Sequence, residues 1–453
     1  MASEGEARAE LRSHFSDRFR DAPEVLDRFG RDQSHLSARP LGVVAPRDVE
    51  SLVWLVRWAR RRRVPLVARG GGTSLDGESV PSPGGVVIDL LGWDQVLEVD
   101  RVDGIARVEP GVVNHDLQDA LGPDHFFPPN PGSWRTSTIG GNVATNASGP
   151  RSFRYGPTRA WVRAARVLLG SGELISVGSR APKRSVGPDL LGLLVGSEGT
   201  LGIFVELTLS IAPRPALRTG LVVPMTPGVA LAPVAAGLAL ERSNGLVAVE
   251  YLDRTCASAL AQVPGARIPD ASALLLLEVE SADAAEETRR LEAIVDRLAR
   301  AGVPDDATVY PSADELWDLR GASGVALDRT LGARVREDVS VPLGRIDDLL
   351  ASIAAIAAAA GAPVAVFGHL GEGDLHPNFG LEPGTVDGEK VRARLLRESL
   401  HLGGTISGEH GVGRVKAGFL VDQVGPAGVA LLGRIKNACD PDGILNPGAT
   451  LPS

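Results

Sequence analysis

The residues best suited to chemistry are histidines that cluster near the end of the chain, among glycines and carboxylates. Half of the eight histidines lie between residues 369 and 410: His369, His376, His401 and His410. Imidazole and carboxylate groups bind zinc, manganese or iron, and three protein ligands leave a coordination position for substrate. His369 and His376 flank a glycine-bearing turn, so a hairpin would bring both to one centre. His401 lies outside the glycine-flanked motifs and is interpreted as an ordinary core or surface histidine.

Three segments in the first half of the chain combine glycines with small polar residues. They are residues 69–74, 137–149 and 195–203. Backbone N–H groups without neighbouring Cβ atoms can surround a phosphate, and Thr and Ser hydroxyls add donors. The first segment is not a Rossmann fingerprint, because Leu75 stands where a glycine is needed, and the chain has no Gly-Lys pair for a Walker loop. Three such loops indicate one extended ligand of dinucleotide size.

The elements that must position these residues can be read from hydrophobic spacing. A strand at 41–44, an amphipathic helix at 49–63 and a strand at 64–68 form a β-α-β unit that leads into the first glycine loop. Further predicted elements are strands at 86–90 and 105–108 and a hairpin at 164–175. A proline-marked linker at 211–215 precedes a helix at 227–241, strands at 247–252 and 273–279, and a helix at 282–301. This second half predicts an α+β domain with a sheet covered on one face.

Composition excludes several classes of protein. The chain has 47 Lys and Arg against 56 Asp and Glu, a net charge of −9, which argues against a nucleic-acid partner. The basic run at 60–63 closes the predicted helix, where it compensates the helix dipole. Two cysteines cannot form a disulfide framework or an iron–sulfur centre. Residues 1–20 lack a secretory leader, and the apolar stretch at 351–367 is too short to span a bilayer. We expect a soluble cytoplasmic protein, with a peripheral membrane contact left open.

The ordered set of loops resembles the FAD-linked oxidase branch of the vanillyl-alcohol-oxidase (PCMH) type of flavoprotein, across residues 36–450. That branch contains the large subunit of glycolate oxidase, D-lactate dehydrogenases and D-2-hydroxyglutarate dehydrogenase. The resemblance implies an α+β fold, with a two-subdomain PCMH-type FAD-binding domain and an α+β cap domain for substrate. The implied division is a helical segment at 1–35, the FAD-binding domain at 36–214, the cap at 215–424, and a tail at 425–453 that packs back on the FAD-binding domain.

The resemblance implies that the three loops bind FAD. The FAD-binding residues that it implies are Arg69, Gly70, Gly71, Gly72, Thr73, Ser74, Pro131, Gly132, Thr138, Gly140, Gly141, Asn142, Ala144, Thr145, Glu198, Gly199, Thr200, Gly202, Ile203 and Asn446. A structural turn is an equally good interpretation of Asn446. Some family members attach the flavin through a histidine in the first loop or a nearby cysteine. Residues 69–80 contain no histidine and the loops no cysteine, so we expect non-covalent FAD.

The resemblance also implies roles for the second half. Positions matching His369, His376 and Glu409 bind a divalent metal, which we expect to be zinc, with manganese or iron as alternatives. The position matching His410 is the base. A 2-hydroxy acid needs a cation for its carboxylate, and Arg320, Arg336 and Asn378 are the candidate substrate-binding residues. A surface ion pair is an equally good interpretation of Arg320 and the favoured one of Arg336.

The sequence departs from the family pattern by extra acids. Glu372 and Asp374 stand where the family commonly has Asp and Asn, and Asp76 and Glu78 replace neutral residues of the first loop. An added carboxylate beside the histidines would strengthen metal binding or disfavour a dianionic substrate. These changes bear on which substrate is used more than on the reaction type.

The expected function is the FAD-dependent oxidation of a 2-hydroxy acid, such as D-lactate, glycolate or D-2-hydroxyglutarate, to the 2-oxo acid. Electrons would pass to an external acceptor: a quinone, a cytochrome or an electron-transfer flavoprotein. The alternatives are an oxygen-using flavin oxidase, an ether-lipid-synthase-like flavoenzyme, and the FAD subunit of a multi-subunit dehydrogenase. The ether-lipid branch carries a run of histidines where residues 408–410 stand here, which favours the dehydrogenases. A homodimer is left open.

Overall fold

The protein is built from short strands and helices that alternate along the chain. The computed structural model describes residues 4–266, 268–304, 308–310, 312–381 and 386–451; the ends of the predicted first and last segments, residues 1–3 and 452–453, lie outside the described residues. The strands are β1 (Phe19–Arg20), β2 (Gly42–Val44), β3 (Leu66–Arg69), β4 (Val86–Asp89), β5 (Val96–Asp100), β6 (Ile105–Val108), β7 (His125–Phe126), β8 (Val162–Leu169), β9 (Leu174–Gly178), β10 (Gly202–Ser210), β11 (Ala212–Pro213), β12 (Leu217–Met225), β13 (Leu246–Asp253), β14 (Ala273–Ser281), β15 (Thr308–Tyr310), β16 (Arg334–Arg336), β17 (Val339–Ser340), β18 (Val364–His369) and β19 (Asp374–Gly380).

The α-helices vary in length from a single turn to five turns. They are α1 (Glu4–Phe15), α2 (Pro23–Phe29), α3 (Val49–Arg62), α4 (Asn114–Leu121), α5 (Ile139–Thr145), α6 (Ser152–Tyr155), α7 (Leu190–Leu194), α8 (Leu231–Ala239), α9 (Arg254–Leu260), α10 (Ala284–Arg300), α11 (Ala313–Gly321), α12 (Ser323–Leu331), α13 (Ile346–Ala360), α14 (Gly388–His401) and α15 (Leu420–Cys439). Within the described ranges, no helix combines the length and the apolar character that crossing a bilayer requires.

The chain forms two compact units, and each is made from more than one segment. The N-terminal unit consists of residues 1–148, 157–214 and 409–453. The central unit consists of residues 149–156 and 215–408. The predicted domain boundaries at residues 36, 215 and 425 stay predictions.

The N-terminal unit contains the predicted β-α-β element. Strands β2 and β3 run parallel to β4, and the sheet order is β1-β2-β4-β3. Helix α3 connects β2 to β3, and its start is fixed by a capping box in which Asp48 and Ser51 bond reciprocally. The basic run at its end forms ion pairs, because Arg60 binds Asp442 at 2.7 Å and Arg62 binds Glu10. The apolar face of the helix packs on the sheet. Its cationic end forms ion pairs with the segments that contain Glu10 and Asp442.

A second sheet of the N-terminal unit is antiparallel, in the order β5-β6-β10-β8-β9. Its β8–β9 pair is the predicted hairpin, with Leu168 opposite Leu174. Helices α4 and α5 pack on this sheet through a buried apolar cluster that includes Leu117, Val143 and Leu207. This packing fixes the N-terminal end of α5, where the second glycine loop lies.

The central unit contains one antiparallel sheet, in the order β15-β12-β14-β13-β18-β19-β16 for the described residues, with β17 also paired to β19. The prediction that it is covered on one face is wrong. Every residue of β14 is buried, and successive side chains of a strand point to opposite faces, so both faces are covered. Helices α9, α11 and α12 pack on the face that carries Leu274 and Leu276, and α10 also packs against β14.

Candidate active site

The hairpin of β18 and β19 brings two histidines and an aspartate together in the central unit. His369 lies opposite Asp374 in the ladder, and His376 follows two residues later. The ligand atoms of these three buried side chains lie within 4.8 Å of one another. The turn requires Gly373, which has φ +72°, and whose Cβ would meet the Val341 carbonyl oxygen at 2.1 Å. Two imidazoles and a carboxylate form a donor set that fits a divalent ion such as zinc.

A buried glutamate holds the first histidine and an arginine at the same time. Glu250, on β13, has a fully buried side chain. One oxygen bonds His369 Nδ1, and the other accepts from Arg320 Nε at 3.0 Å. Burial alone would raise the pKa of Glu250, but the His369 imidazole and the Arg320 guanidinium that bond its carboxylate bring the pKa below its usual value. The Arg320 guanidinium also lies 4.4 Å from the centre of the Phe367 ring, which fixes its plane.

The other candidates of the central unit have different surroundings. Asn378 is buried on β19, and its amide donates to the His376 carbonyl at 2.8 Å. Arg336 bonds Asp328 at 3.2 Å, and both side chains are partly exposed. His401 is exposed at the end of α14. Of the predicted substrate-binding residues, Arg320 is therefore the one held beside the histidine pair by a shared carboxylate.

Glu409 and His410 begin the last segment of the N-terminal unit. Within it, His410 Nε2 lies 3.4 Å from a Glu409 carboxylate oxygen. Gly408, the last residue of the central unit, packs so closely on Asp374 that a Cβ atom would lie 2.2 Å from its carboxyl group. Glycine is therefore required immediately before this acid–histidine pair.

The first and second glycine loops of the N-terminal unit pack against each other. A Cβ atom at Gly70 would lie 2.1 Å from Thr138 Oγ1, and one at Gly71 would lie 2.2 Å from the Thr136 carbonyl oxygen. Arg69 donates to the Arg31 carbonyl at 2.6 Å. The glycines therefore allow the two loops to pack closely against each other.

The second loop leads into α5, and Thr138 caps that helix by accepting from the Gly141 N–H at 3.2 Å. The helix contains the candidates Gly140, Gly141, Asn142, Ala144 and Thr145. Pro131 and Gly132 precede it in a turn in which the Pro131 carbonyl accepts from Trp134 N–H at 2.8 Å. In the first loop, the Ser74 carbonyl accepts from Gln33 N–H, while Thr73 follows Gly72 at its positive φ of 66°.

Glu198 joins the third loop to the second loop and to residues 409–453, the last segment of the N-terminal unit. Its N–H donates to the Ala144 carbonyl at 2.7 Å, which joins it to the second loop. Its carboxylate accepts from the N–H groups of Val412 and Gly413 and from the hydroxyl of Thr450. The remaining candidates of this loop lie where β10 begins: Gly199, Thr200, Gly202 and Ile203.

Asn446, in the tail, connects the segment that follows the first loop with the third loop. Its amide donates to the carbonyls of Glu78 at 2.8 Å and Glu198 at 2.9 Å. Its oxygen accepts from Arg414 Nη2 at 2.9 Å. These bonds occupy both ends of the buried side chain, so the structure gives Asn446 a role in joining backbone segments.

The two unusual acids of the first loop are buried. Asp76 forms an ion pair with Lys416 at 3.0 Å, and the lysine side chain is fully buried. Glu78 faces Glu198 across Gly411, whose Cβ would lie 2.7 Å from an oxygen of each. Burial, followed by the charges of Glu198 and Asp76, raises the pKa of Glu78 well above its usual value. This part of the chain therefore carries one ion pair and one carboxyl group that releases its proton at a higher pH than an ordinary glutamate.

Sequence reasoning missed Glu250 and did not place Asp374 among the ligands. The signal for Glu250 was present, because it is a single acid inside the apolar strand predicted at 247–252. An acid in a buried strand needs a partner. Which partner it finds depends on strand pairing with β18, far along the chain, and local sequence does not contain that pairing.

Comparison with known proteins identifies the family. Residues 40–178 match the model of the FAD binding domain, and residues 230–450 match that of the C-terminal domain of FAD linked oxidases. The chain is 33% identical over 417 residues to the glycolate oxidase subunit GlcD of Bacillus subtilis (strain 168), covering 90% of this chain and 88% of the relative. It is 32% identical over 442 residues to D-2-hydroxyglutarate dehydrogenase of Stutzerimonas stutzeri (strain A1501), covering 94% of each.

The solved structure of p-cresol methylhydroxylase with substrate bound has a TM-score of 0.81 at 17% identity, covering 99% of this chain and 97% of that one. At this identity the likeness shows the fold alone, and it confirms the predicted α+β fold of the PCMH type. The relatives confirm the resemblance that the glycine loops indicated. The chain belongs to the FAD-linked oxidase family and is an FAD-linked oxidoreductase.

Proposed function

We propose that the chain oxidises a 2-hydroxy acid to the 2-oxo acid and passes the electrons to an external acceptor. FAD, when bound, supplies the hydride acceptor. The observation that carries the proposal is the buried set of His369, Asp374 and His376 with Arg320 held beside it. A hydroxy acid presents a hydroxyl and a carboxylate, and this set offers metal ligands for the first and a guanidinium for the second. The names of the two relatives support the same class of substrate.

The proposed roles follow from the chemistry of each side chain. Arg320 binds the substrate carboxylate through its outer nitrogens. His369, His376 and Glu409, with Asp374 as a further carboxylate beside the two histidines, would hold a divalent ion, and that ion would lower the pKa of a coordinated hydroxyl. His410 takes the hydroxyl proton, because an imidazole is a suitable general base near neutral pH. The quinone, cytochrome or electron-transfer flavoprotein acceptor, a cytoplasmic location and a homodimer stay predictions.

The test is an anaerobic panel of D- and L-2-hydroxy acids, with flavin bleaching followed by stopped flow, before and after treatment with a chelator. We expect one enantiomeric series to bleach the flavin and the chelator to slow bleaching at least tenfold. His410→Ala should keep FAD and lose about 10²- to 10⁴-fold in the rate of flavin reduction, the range of general-base catalysis. Near-normal reduction in that variant would reject the role of His410, and a panel without bleaching would reject the proposed function.

We also propose that FAD is bound without a covalent bond. No histidine or cysteine occurs in residues 69–80, and the two cysteines of the chain are Cys256 and Cys439. Acid precipitation should release the yellow chromophore into the supernatant. A yellow pellet after washing would contradict the proposal.

A further inference from the structure

We propose that Glu250 is a positioning residue that orients His369 as a metal ligand and Arg320 as an anion-binding group from one buried carboxylate. The inference rests on the proposed function, because it assigns one more residue to that site. It concerns a side chain that the sequence motifs did not single out.

The register of the sheet places Glu250 where it can reach both partners. Glu250 on β13 lies directly opposite His369 on β18. Directly opposite residues of an antiparallel pair have Cβ atoms about 4.5 to 5.5 Å apart and share a face of the sheet. The contact of the carboxylate with the imidazole is therefore set by strand pairing rather than by a flexible loop.

The contact decides which histidine nitrogen binds an ion. A proton on His369 Nδ1 donates to the Glu250 carboxylate, so Nε2 keeps its lone pair. A carboxylate behind a ligating histidine fixes the tautomer and the ring orientation and makes the imidazole a stronger ligand. His369 and His376 are 5.1 Å apart between ring centres and nearly perpendicular, so the orientation of the first ring matters for sharing one ion.

The second oxygen of the same carboxylate orients the Arg320 guanidinium. Two contacts fix the guanidinium: its Nε bonds Glu250 at 3.0 Å, and it lies over the Phe367 ring. The Arg320 side chain is 15% exposed. Within the part of the chain that the structure describes, its two Nη groups donate to no protein acceptor. Those groups form the edge that a carboxylate binds through two parallel bonds. Glu250 therefore sets the orientation of both binding groups at once.

The neighbouring acid Glu280 provides a matched control. It is buried on β14 of the same sheet, and it bonds the hydroxyl of Tyr155. Its carboxylate is engaged there rather than with His369 or Arg320. Glu280→Gln therefore makes the same chemical change at a buried position of the same sheet, away from the two groups that Glu250 holds.

The experiment measures binding to FAD-loaded, metal-stripped protein, so its readouts do not depend on turnover. Zinc affinity is measured by competition with a chromogenic chelator, and oxalate affinity by the change in the flavin spectrum. We expect Glu250→Gln to weaken zinc binding by about 10- to 100-fold, the range for loss of such a partner, and to weaken oxalate binding as well. Glu280→Gln should change neither, and Arg320→Met should weaken oxalate binding while zinc affinity stays within twofold.

The outcomes separate this inference from the proposed function. Wild-type protein that binds no zinc and is not bleached by any hydroxy acid would remove the proposed function itself. Wild-type protein that binds zinc and is bleached, with unchanged zinc affinity in Glu250→Gln, would overturn the inference alone. If Glu250→Gln does not retain FAD, Glu250→Asp is used, because the shorter acid keeps its charge but cannot reach both partners. Unchanged zinc and oxalate affinities in that variant would also overturn the inference.

Discussion

Two pairs of buried glutamates, one pair in each unit, differ in how their burial is compensated. In the central unit, Glu250 and Glu278 are fully buried and each bonds at least one guanidinium, and their pKa values lie below the usual range despite burial. In the N-terminal unit, Glu78 and Glu198 are bonded by N–H and hydroxyl groups, and burial raises the pKa of both. A full positive charge compensates the desolvation of a carboxylate, whereas a few dipoles beside other acids do not.

The difference separates two kinds of buried acid, and Glu280 of the central unit, whose pKa is also raised, belongs to the second kind. An acid with a lowered pKa can orient the donors around it, as we propose that Glu250 does for the His369 imidazole and the Arg320 guanidinium. In the N-terminal unit, Glu78 has a raised pKa and lies near the ion pair of Asp76 and Lys416. Of the two extra acids in this region, Asp76 therefore has its charge compensated by a lysine, and Glu78 loses its proton less readily than an ordinary glutamate.

The largest effect is expected from removing the charged acid Glu278. It bonds Arg218 at 2.7 Å, Arg151 at 3.5 Å and the Trp317 indole N–H at 2.5 Å. Glu278→Ala would leave two largely buried guanidinium groups without this counter-charge, and breaking a buried ion pair costs about 3 to 5 kcal/mol. The measurement is hydrogen exchange of the β14 amides, which reports the opening free energy of this unit.

Glu280→Ala is the control, since Glu280 lies two residues further along the same strand. Burial raises the pKa of Glu280, and its carboxylate accepts a hydrogen bond from the Tyr155 hydroxyl. We expect it to cost less than half as much as Glu278→Ala. Equal losses of stability in the two variants would mean that burial alone, and not the paired charge, sets the cost of removing these acids.

Much of the scaffold could be predicted from the sequence, because its signals are local. The apolar spacing of residues 49–63 predicted α3 to within one residue, and the predicted strand at 105–108 coincides with β6. The one-face prediction for the central sheet failed although β14 contains four consecutive leucines, 274–277, instead of an alternation. Such a run indicates burial on both faces. Glu250 and Lys416 could not be assigned, since their partners lie far away along the chain.

A smaller loss of stability is expected at Asn446, which holds Glu78 and Glu198 in place through their backbone carbonyls. Asn446→Ala would leave the buried carbonyls of Glu78 and Glu198 without its amide, at about 1 to 3 kcal/mol for the unsatisfied groups. Thermal unfolding and the FAD dissociation constant are measured together. Asn446 has φ +42°, so Asn446→Gly, which relieves backbone strain, is the matched control. If Gly restores full stability, strain rather than the two bonds accounts for the loss.

The smallest change in the free energy of unfolding is expected for Glu78→Gln, and it is a gain in stability rather than a loss. The folded protein holds the Glu78 proton to a higher pH than the unfolded chain does, because burial and the neighbouring acids raise the pKa of Glu78. Its contribution to stability is therefore fully present below the ordinary pKa and is lost as pH rises towards the raised folded-state pKa. Glutamine stays neutral throughout, so the variant should be more stable than wild type by on the order of 1 kcal/mol at about pH 8 and no more stable at about pH 4. Urea unfolding at the two pH values measures the difference. Glu278→Gln should behave in the opposite way, because the lowered pKa of Glu278 makes its contribution present at neutral pH and lost on acidification. Parallel pH profiles for the two variants would contradict the contrast between Glu78 and Glu278.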